Sequence, residues 1–315
     1  MKCMVGNWKR ACLSLGVLVL ITGLMLIITQ VLLPRQKHDR ALALLEVGAY
    51  EDAYALLRQL GDEAAITKSL NERADTVLAM GEDEAAYALL SGLTDAVSQE
   101  KRKGIKRRQI VNTRVGYSFT LGSYEQDNDQ ENGTESIRWL VLCKTDDRVL
   151  AVSRYVLDSR LFDEESKAVS WEDCDLRAWL NGYFFETAFS TDEQALILTT
   201  LVSADNNPEY STDPGEVTED KVFLLSIPEV RQYFPDDESR ICKPTAYAKA
   251  RSDYTYPDPN TCCWWLRTPG IGPSCAARVY SFGSFDYMGS IANCTNTVVR
   301  PGVRPAVWID LNEIS

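Results

Sequence analysis

The chain has 315 residues, with 45 Asp and Glu against 33 Lys and Arg, nine cysteines and one histidine. Residues 111–315 hold 18 basic and 32 acidic residues, a net charge of −14, and so acidic a segment disfavours nucleic-acid binding. The single histidine, His38, precedes this segment, which excludes Ser-His-Asp and Cys-His nucleophile pairs and His-ligated metals from it.

Residues 11–33 form an uncharged apolar run of 23 residues, and a helix needs about 20 such residues to cross a bilayer. A cleaved signal peptide fits poorly, because the run is too long and no small-residue cleavage site follows it. Basic residues flank both ends equally, so the short N-terminal tail decides the orientation. The sequence predicts a cytoplasmic tail at 1–10, a transmembrane signal anchor at 11–33, and a cell-membrane protein whose C-terminal domain is extracytoplasmic in the cell envelope.

Residues 40–99 contain an internal repeat. The segment that begins at Ala41 overlays the one at Ala74 with an offset of 33 residues and 11 identities in 22 positions. The period, the central glycine and the A-Y-x-L-L pattern resemble the tetratricopeptide family. About two units are visible, fewer than a free-standing solenoid needs, which favours a short helical stalk. A partner-binding groove near Tyr54 and Tyr87 is the alternative.

Six of the eight residues at 101–108 are basic, which predicts a solvated basic linker at 100–110.

Residues 111–315 then mix strands and helices without regular alternation. The segment DLRAWLNGYF is predicted to form an amphipathic helix whose core-facing side carries Leu176, Trp179, Leu180 and Tyr183, at i, i+3, i+4 and i+7. The other predicted elements are strands in VGYSFTLGSY, KVFLLS, WWLRTPG and GVRPAVWI, a hairpin from IRWLVLC to RVLAVS, a helix capped by Ser190 with Glu193, and helices with Pro228 or Pro244 in their first turns.

The motifs LGSYEQD, IRWLVL, DLRAWLN, AFSTDEQ, DKVFLLS, WWLRTPG and GVRPAVWI occur in this order. Together they resemble a domain family of unknown function from Gram-positive bacteria, over about residues 115–311. That family is distantly similar to the C-type-lectin-like fold shared with formylglycine-generating enzymes. The resemblance implies an α+β fold class: a compact C-type-lectin-like domain with antiparallel strands, whose first and last strands pair. One transmembrane helix and a short α-helical repeat stalk are expected to precede it.

Few residues suggest catalysis or metal binding. The acidic stretch 127–133 fails the EF-hand spacing, which leaves a loose carboxylate site as an alternative to a solvated loop. Cys275 and Cys294 are the candidates for the copper-binding pair that the formylglycine-type resemblance implies. The remaining cysteines lack CxxC spacing and are expected to be buried apolar thiols. The sequence therefore predicts no enzyme, no metal and no cofactor, with a formylglycine-generating-type thiol oxidase as an alternative.

The predicted function is surface recognition or scaffolding, with an unknown envelope glycan, peptide or protein as ligand. The strands WWLRTPG and GVRPAVWI are expected to hold an irregular display loop at 280–297, whose polar residues are adaptable contacts. A structural or interaction protein acting through the repeats is the alternative. The candidate ligand-binding residues are Trp265, Arg267, Arg278, Tyr280, Phe282, Phe285, Tyr287 and Arg304. For the tryptophan pair, Arg267 and Arg304 a structural role is the alternative, since one Trp of a consecutive pair usually faces the core and Arg304 before Pro305 can stabilise a turn against a carboxylate.

Overall fold

The structure, a computed structural model, describes residue 22 and residues 25–165, 168–252, 258–291 and 300–312. The chain divides into two compact units, residues 1–98 and 99–315, and the division falls inside one helix. All strands of the described residues belong to the second unit.

The described part of the first unit is helical, and glycines end several of its helices. Gly48, Gly61 and Gly81 have φ angles of 79°, 69° and 81°, which L side chains adopt only with strain. Gly48 and Gly81 are equivalent in the internal repeat. Tyr54 is buried, with its hydroxyl 3.4 Å from that of Ser69, so it belongs to the core of this unit. The helices are α1 Leu33–Glu46, preceded by a π-helical turn Ile28–Leu32, α2 Tyr50–Leu60, α3 Glu63–Ala79, α4 Asp83–Leu90 and α5 Ala96–Asn112.

The predicted fold class is wrong in one component. No helix among the described residues has both the length and the apolar composition needed to cross a bilayer. After the π-helical turn, α1 carries the charged residues Arg35, Lys37, Asp39 and Arg40, which end the apolar run. Of the predicted span, residues 11–21, 23 and 24 lie outside the described part of the chain. The fold is a mixture of helices and largely antiparallel sheets.

The basic stretch at 100–110 is helical, because α5 covers it. Arg102, Lys106 and Arg107 are buried despite their charge. Arg102 forms a bidentate ion pair, in which its Nε and Nη2 donate to the Asp192 carboxylate at 3.0 and 3.1 Å. A long basic side chain can bury its stem while its charged end is satisfied, so a count of charges does not show this arrangement.

The second unit contains two five-stranded sheets and a two-stranded sheet. The strands are β1 Ser118–Tyr124, β2 Glu135–Lys144, β3 Arg148–Ser153, β4 Asp158–Ser159, β5 Thr200–Val202, β6 Thr218–Asp220, β7 Val222–Phe223, β8 Trp264–Pro269, β9 Cys275–Val279, β10 Phe285–Ile291, β11 Gly302–Val303 and β12 Ala306–Asp310. The first sheet has the order β1-β2-β3-β12-β7, and all its pairs are antiparallel. The predicted first strand and hairpin are confirmed. The expectation that the first and last strands pair is wrong, because β2 and β3 separate them.

The second sheet has the order β10-β9-β8-β11-β4. In it β11 runs parallel to β8, with Gly302 opposite Trp264, and antiparallel to β4. A Cβ on Gly302 would clash with the Val156 side chain, so this close approach requires glycine. The segment GVRPAVWI thus contributes β11 to one sheet and β12 to the other, with Arg304 and Pro305 between them.

Part of the predicted display loop at 280–297 is regular structure. β9 and β10 form an antiparallel hairpin joined by residues 280–284, while residues 292–299 lie outside the described part of the chain. At the tip, Gly283 has a φ of 93° and packs directly against the backbone of Asp237. The guanidinium of Arg240 donates to the Gly283 carbonyl at 3.1 Å, so the tip is fixed to the short helix that contains these two residues.

The predicted amphipathic helix changes geometry midway. Helix α6, Asp175–Trp179, continues into a π-helical turn, Leu180–Phe184, and then into α7, Phe185–Ala188. A π-helical turn contains one residue more than an α-helical turn, so the buried face moves along by one position. Phe184 therefore fills the core with no exposed surface, whereas Tyr183, which was expected there, is 61% exposed.

The remaining helices are α8 Thr191–Gln194, α9 Ile227–Tyr233, α10 Asp237–Arg240 and α11 Ala246–Arg251. Ser190 and Glu193 form the predicted capping box of α8, and Pro228 lies in the first turn of α9 as predicted. Helix α11 begins only after its cap, Thr245, so Pro244 precedes the helix instead of lying in its first turn.

Candidate functional site

Three of the predicted ligand-binding residues, Trp265, Arg267 and Arg304, are buried in the second unit. The indole N–H of Trp265 donates to a backbone carbonyl at 2.9 Å. Arg267 pairs with Glu229, and Arg304 donates to the Ser153 carbonyl at 3.1 Å. These side chains brace the sheets, and burial leaves them no surface to offer to a ligand.

The other five predicted residues lie together on the β9–β10 hairpin. The rings of Tyr280 and Phe282 stack almost parallel, with centroids 5.2 Å apart, and those of Phe285 and Tyr287 stack at 5.5 Å. The Arg278 guanidinium lies 5.3 Å from the Tyr280 ring centre. Phe282 is 63% exposed and the other four side chains are half-buried. The hairpin therefore presents one exposed aromatic ring on a packed base.

A buried carboxylate organises a separate polar cluster. Asp158 has no exposed surface, yet it accepts four hydrogen bonds. Its Oδ2 accepts from the Tyr124 hydroxyl at 2.8 Å and from Arg160 Nε at 2.9 Å. Its Oδ1 accepts from Arg251 Nε at 2.7 Å and from the Ser159 amide at 2.7 Å. One buried charge thus fixes two guanidinium groups.

Arg160 is held a second time by an aromatic ring. Its guanidinium carbon lies 4.0 Å from the ring centre of Trp179, a stacking geometry that suits the planar group. Trp179 is itself packed against Phe184 at a centroid distance of 5.2 Å. The Trp179 Nε1 is buried and has no hydrogen-bond partner among the described residues. Both the position and the plane of the Arg160 guanidinium are therefore set before any ligand arrives.

Two cavities share Arg160 as a lining residue. The first, which we name the arginine cavity, has a volume of about 340 Å³ and contains three arginines, two carboxylates and Trp179 in its wall. The second, the tyrosine cavity, has a volume of about 410 Å³ and a wall of tyrosines, hydroxyls, an amide and one carboxylate. Both volumes fall within the range of about 300–1,000 Å³ that is usual for small-molecule sites.

Tyr124 lines the tyrosine cavity and connects it to the buried carboxylate. Burial, followed by the negative charge of Asp158, raises the pKa of Tyr124 well above its usual value. The phenol therefore remains protonated and donates to Asp158. Its ring also packs edge-on against Tyr247 at 5.7 Å, which orders the wall of the cavity.

The acidic loop considered for calcium contains one close carboxylate group, Glu125, Asp127 and Glu135, whose oxygens lie within 4.8 Å of one another. Glu125 accepts from the amides of residues 128 and 129, and Glu135 accepts from those of residues 126 and 127. A hydrogen bond from Asn132, together with the amide of residue 129, holds the pKa of Asp127 below its usual value. These bonds within the loop account for the cluster.

Several thiols of the second unit are buried and neutral. Burial raises the pKa of Cys174 to about 12, and burial also raises the pKa of Cys242. For Cys262, burial and then the neighbouring thiols of Cys242 and Cys263 raise the pKa well above the usual range. A thiolate is the nucleophile and metal ligand, so this environment does not favour thiol chemistry. Of the copper candidates, Cys275 is half-buried and residue 294 lies outside the described chain.

Truncating Cys174 to alanine is expected to reduce the loss of stability at alkaline pH. Folding raises the pKa of Cys174 from 9.0 to about 12. The contribution of this neutral thiol to the free energy of unfolding is therefore complete below pH 9 and is lost as the pH rises towards 12. Urea unfolding at pH 8, 9.5 and 10.5 should show a shallower decline for Cys174→Ala, by up to about 1.4 kcal/mol per pH unit. Parallel declines in the two proteins would show that this thiol does not contribute.

No local pattern in the sequence indicates the Asp158 cluster. Asp158 and Arg251 are 93 residues apart, and neither belongs to a motif with recognisable spacing. Only Ser159 and Arg160 are close to Asp158 in the sequence, at separations of one and two residues. What reveals the site is the burial of Asp158 beneath two arginines.

Residues 146–311 match the family described as a domain of unknown function (DUF6273), and the matched segment contains Asp158, Arg160 and Arg251. No curated protein and no solved structure is significantly similar to the chain. The predicted match to a domain family of unknown function is confirmed. The resemblances to the C-type-lectin-like fold and to tetratricopeptide repeats stay predictions.

Proposed function

The chain belongs to the DUF6273 family, and we propose that its second unit is a recognition domain that binds a small carboxylate-bearing ligand in the arginine cavity. One observation carries the proposal: Asp158 and Trp179 hold Arg160 rigidly at the boundary of two cavities. A guanidinium that is already fixed loses little conformational freedom when a ligand binds, so more of the contact energy becomes affinity.

The guanidinium groups of the arginine cavity support a ligand with a carboxylate. Only 18 basic residues stand against 32 acidic ones in residues 111–315, yet Arg160, Arg251 and Arg300 line one cavity. Guanidinium groups form paired, charge-assisted hydrogen bonds with carboxylates, and each hydrogen bond to a charged group contributes about 1.5–3 kcal/mol. Glu164 and Asp175 also line this cavity and can accept hydrogen bonds from ligand hydroxyl groups.

We expect Arg251→Gln to weaken carboxylate binding at least about tenfold, because it removes one charge-assisted contact of about 1.4 kcal/mol or more. Arg251 is part of the cavity wall and about one-third exposed, and after its replacement the buried Asp158 keeps the Tyr124 hydroxyl, Arg160 and the Ser159 amide as donors. Isothermal titration of the full-length protein with acetate, citrate, glucuronate and an N-acetylated dipeptide measures the effect. Glucose serves as the neutral counterpart of glucuronate.

The matched control is Arg231→Gln, the same substitution at an exposed arginine whose guanidinium donates to the Tyr287 hydroxyl on the hairpin. This variant should bind the carboxylates as the unchanged protein does. If none of the four carboxylates binds, or if Arg251→Gln binds them equally well, the proposal is wrong. Binding that is lost only in Arg231→Gln would instead transfer recognition to the aromatic hairpin, which the exposed Phe282 makes the second candidate surface.

A further inference from the structure

The tyrosine cavity has a wall of a different chemical kind from the arginine cavity. We infer that it is a second subsite, which receives a neutral sugar ring, so that the ligand of the second unit is an acidic oligosaccharide with its carboxylate in the arginine cavity. This inference rests on the function proposed above and specifies the ligand of that same site.

The wall of the tyrosine cavity is rich in groups that exchange hydrogen bonds with hydroxyls. Sugars need such donors and acceptors around their rims and an apolar surface for their ring faces. Glu125 is the one carboxylate of this wall, and its Oε1 already accepts from two backbone amides. The hydroxyl, amide and aromatic residues of the wall are Ser123, Tyr124, Gln130, Thr134, Tyr183, Thr187 and Tyr247.

The π-helical turn at 180–184 is what supplies an aromatic face to this cavity. A regular helix would turn Tyr183 towards the core, but the extra residue of the turn gives that place to Phe184. Tyr183 therefore stands 61% exposed while it lines the tyrosine cavity. The ring is therefore accessible to a ligand beside the hydroxyl groups of the wall, and π-helical turns occur frequently at functional sites.

Arg160 is common to the walls of both cavities, and a ligand that spans them has a fixed order. It lines both walls, whereas Arg251 and Arg300 line only the arginine cavity. A ligand that occupies both must therefore carry its acidic group at one end and an uncharged, hydroxyl-rich group at the other. A peptide C-terminus satisfies the first requirement, but its backbone and apolar side chains do not match the hydroxyl-lined second cavity.

The test compares glucuronic acid with a disaccharide of glucuronic acid and N-acetylglucosamine, titrated into the full-length protein. We expect the disaccharide to bind at least about tenfold more tightly, since the second ring adds stacking and hydrogen bonds of about 1.4 kcal/mol or more. Tyr183→Ala should remove this gain and leave the affinity for glucuronic acid unchanged. Tyr117→Ala, an equally drastic truncation at a tyrosine that is 67% exposed and lies outside both cavity walls, should change neither affinity.

The possible failures are distinguishable. Equal affinities for the two sugars, or a gain that survives Tyr183→Ala, would overturn the sugar subsite, while sensitivity of glucuronic acid binding to Arg251→Gln would still uphold the proposed function. Tighter binding of the N-acetylated dipeptide than of the disaccharide would also overturn the inference in favour of a peptide ligand. If the unchanged protein bound none of the carboxylates, both the proposed function and the sugar subsite would be wrong.

Discussion

Replacing Asp158 with alanine is expected to lower the free energy of unfolding by about 3 kcal/mol. The substitution leaves Arg160 and Arg251 as adjacent like charges without their shared counter-ion, and the Tyr124 hydroxyl without its acceptor. Loss of one partner of a buried ion pair costs about 3–5 kcal/mol, and the partial exposure of both arginines places this case at the lower end.

Urea unfolding followed by tryptophan fluorescence measures this change, with Asp173→Ala as the matched control at an exposed aspartate. The control should change stability by less than about 0.5 kcal/mol. Asp158→Asn separates shape from charge, since the amide keeps the volume but can no longer neutralise two guanidinium groups. A loss below about 1 kcal/mol for Asp158→Ala would contradict the role assigned to this carboxylate.

Gly283→Ala is the second substitution with a large expected effect, a loss of about 3 kcal/mol. A non-glycine residue in the left-handed region costs about 1–2 kcal/mol, and forcing atoms into a packed contact costs about 1–3 kcal/mol more. At a φ of 93°, the added Cβ would overlap the carbonyl oxygen of Asp237. The obstacle is backbone, so the hairpin tip must move away from α10.

The matched control for this experiment is Gly116→Ala, which lies in the same unit at a φ of 84° with open space where the Cβ would be. This variant incurs only the cost of placing alanine in a left-handed backbone conformation, so we expect its free energy of unfolding to fall by about 1–2 kcal/mol. The difference between the two variants in chemical unfolding isolates the contact with Asp237. Equal losses would show that the hairpin tip is not fixed against this helix.

Local sequence patterns predicted those elements that are stabilised by contacts between neighbours in the chain. The capping box of Ser190 and Glu193 is complete within four residues, and the β2–β3 hairpin follows from two apolar runs joined by a short polar turn. These predictions hold because neighbours in sequence satisfy one another. The position of β12 between β3 and β7 depends instead on partners far away in the chain, which no local pattern reports.

The candidate site was the harder part to predict. Trp265 and Arg304 carry the residue types of a recognition surface, but both belong to the core. The sequence cannot show which arginines find a buried acceptor, since Arg304 donates to Ser153 at a separation of 151 residues. Tyr183 shows the opposite error, because 3.6-residue periodicity predicted burial and a single extra residue in the turn exposed it.

The place of β12 in the first sheet has a consequence for how the chain is made. Val307 pairs with Ala151 on one side and with Val222 on the other, so both neighbouring strands are synthesised before the strand that joins them. Contacts across such separations form slowly, and strand edges that remain unpaired until β12 is synthesised promote aggregation. A ribosome-bound chain that stops short of residue 306 holds four strands of this sheet but lacks β12, the strand that joins β7 to β3. Completion of the second unit is therefore a late, cooperative event.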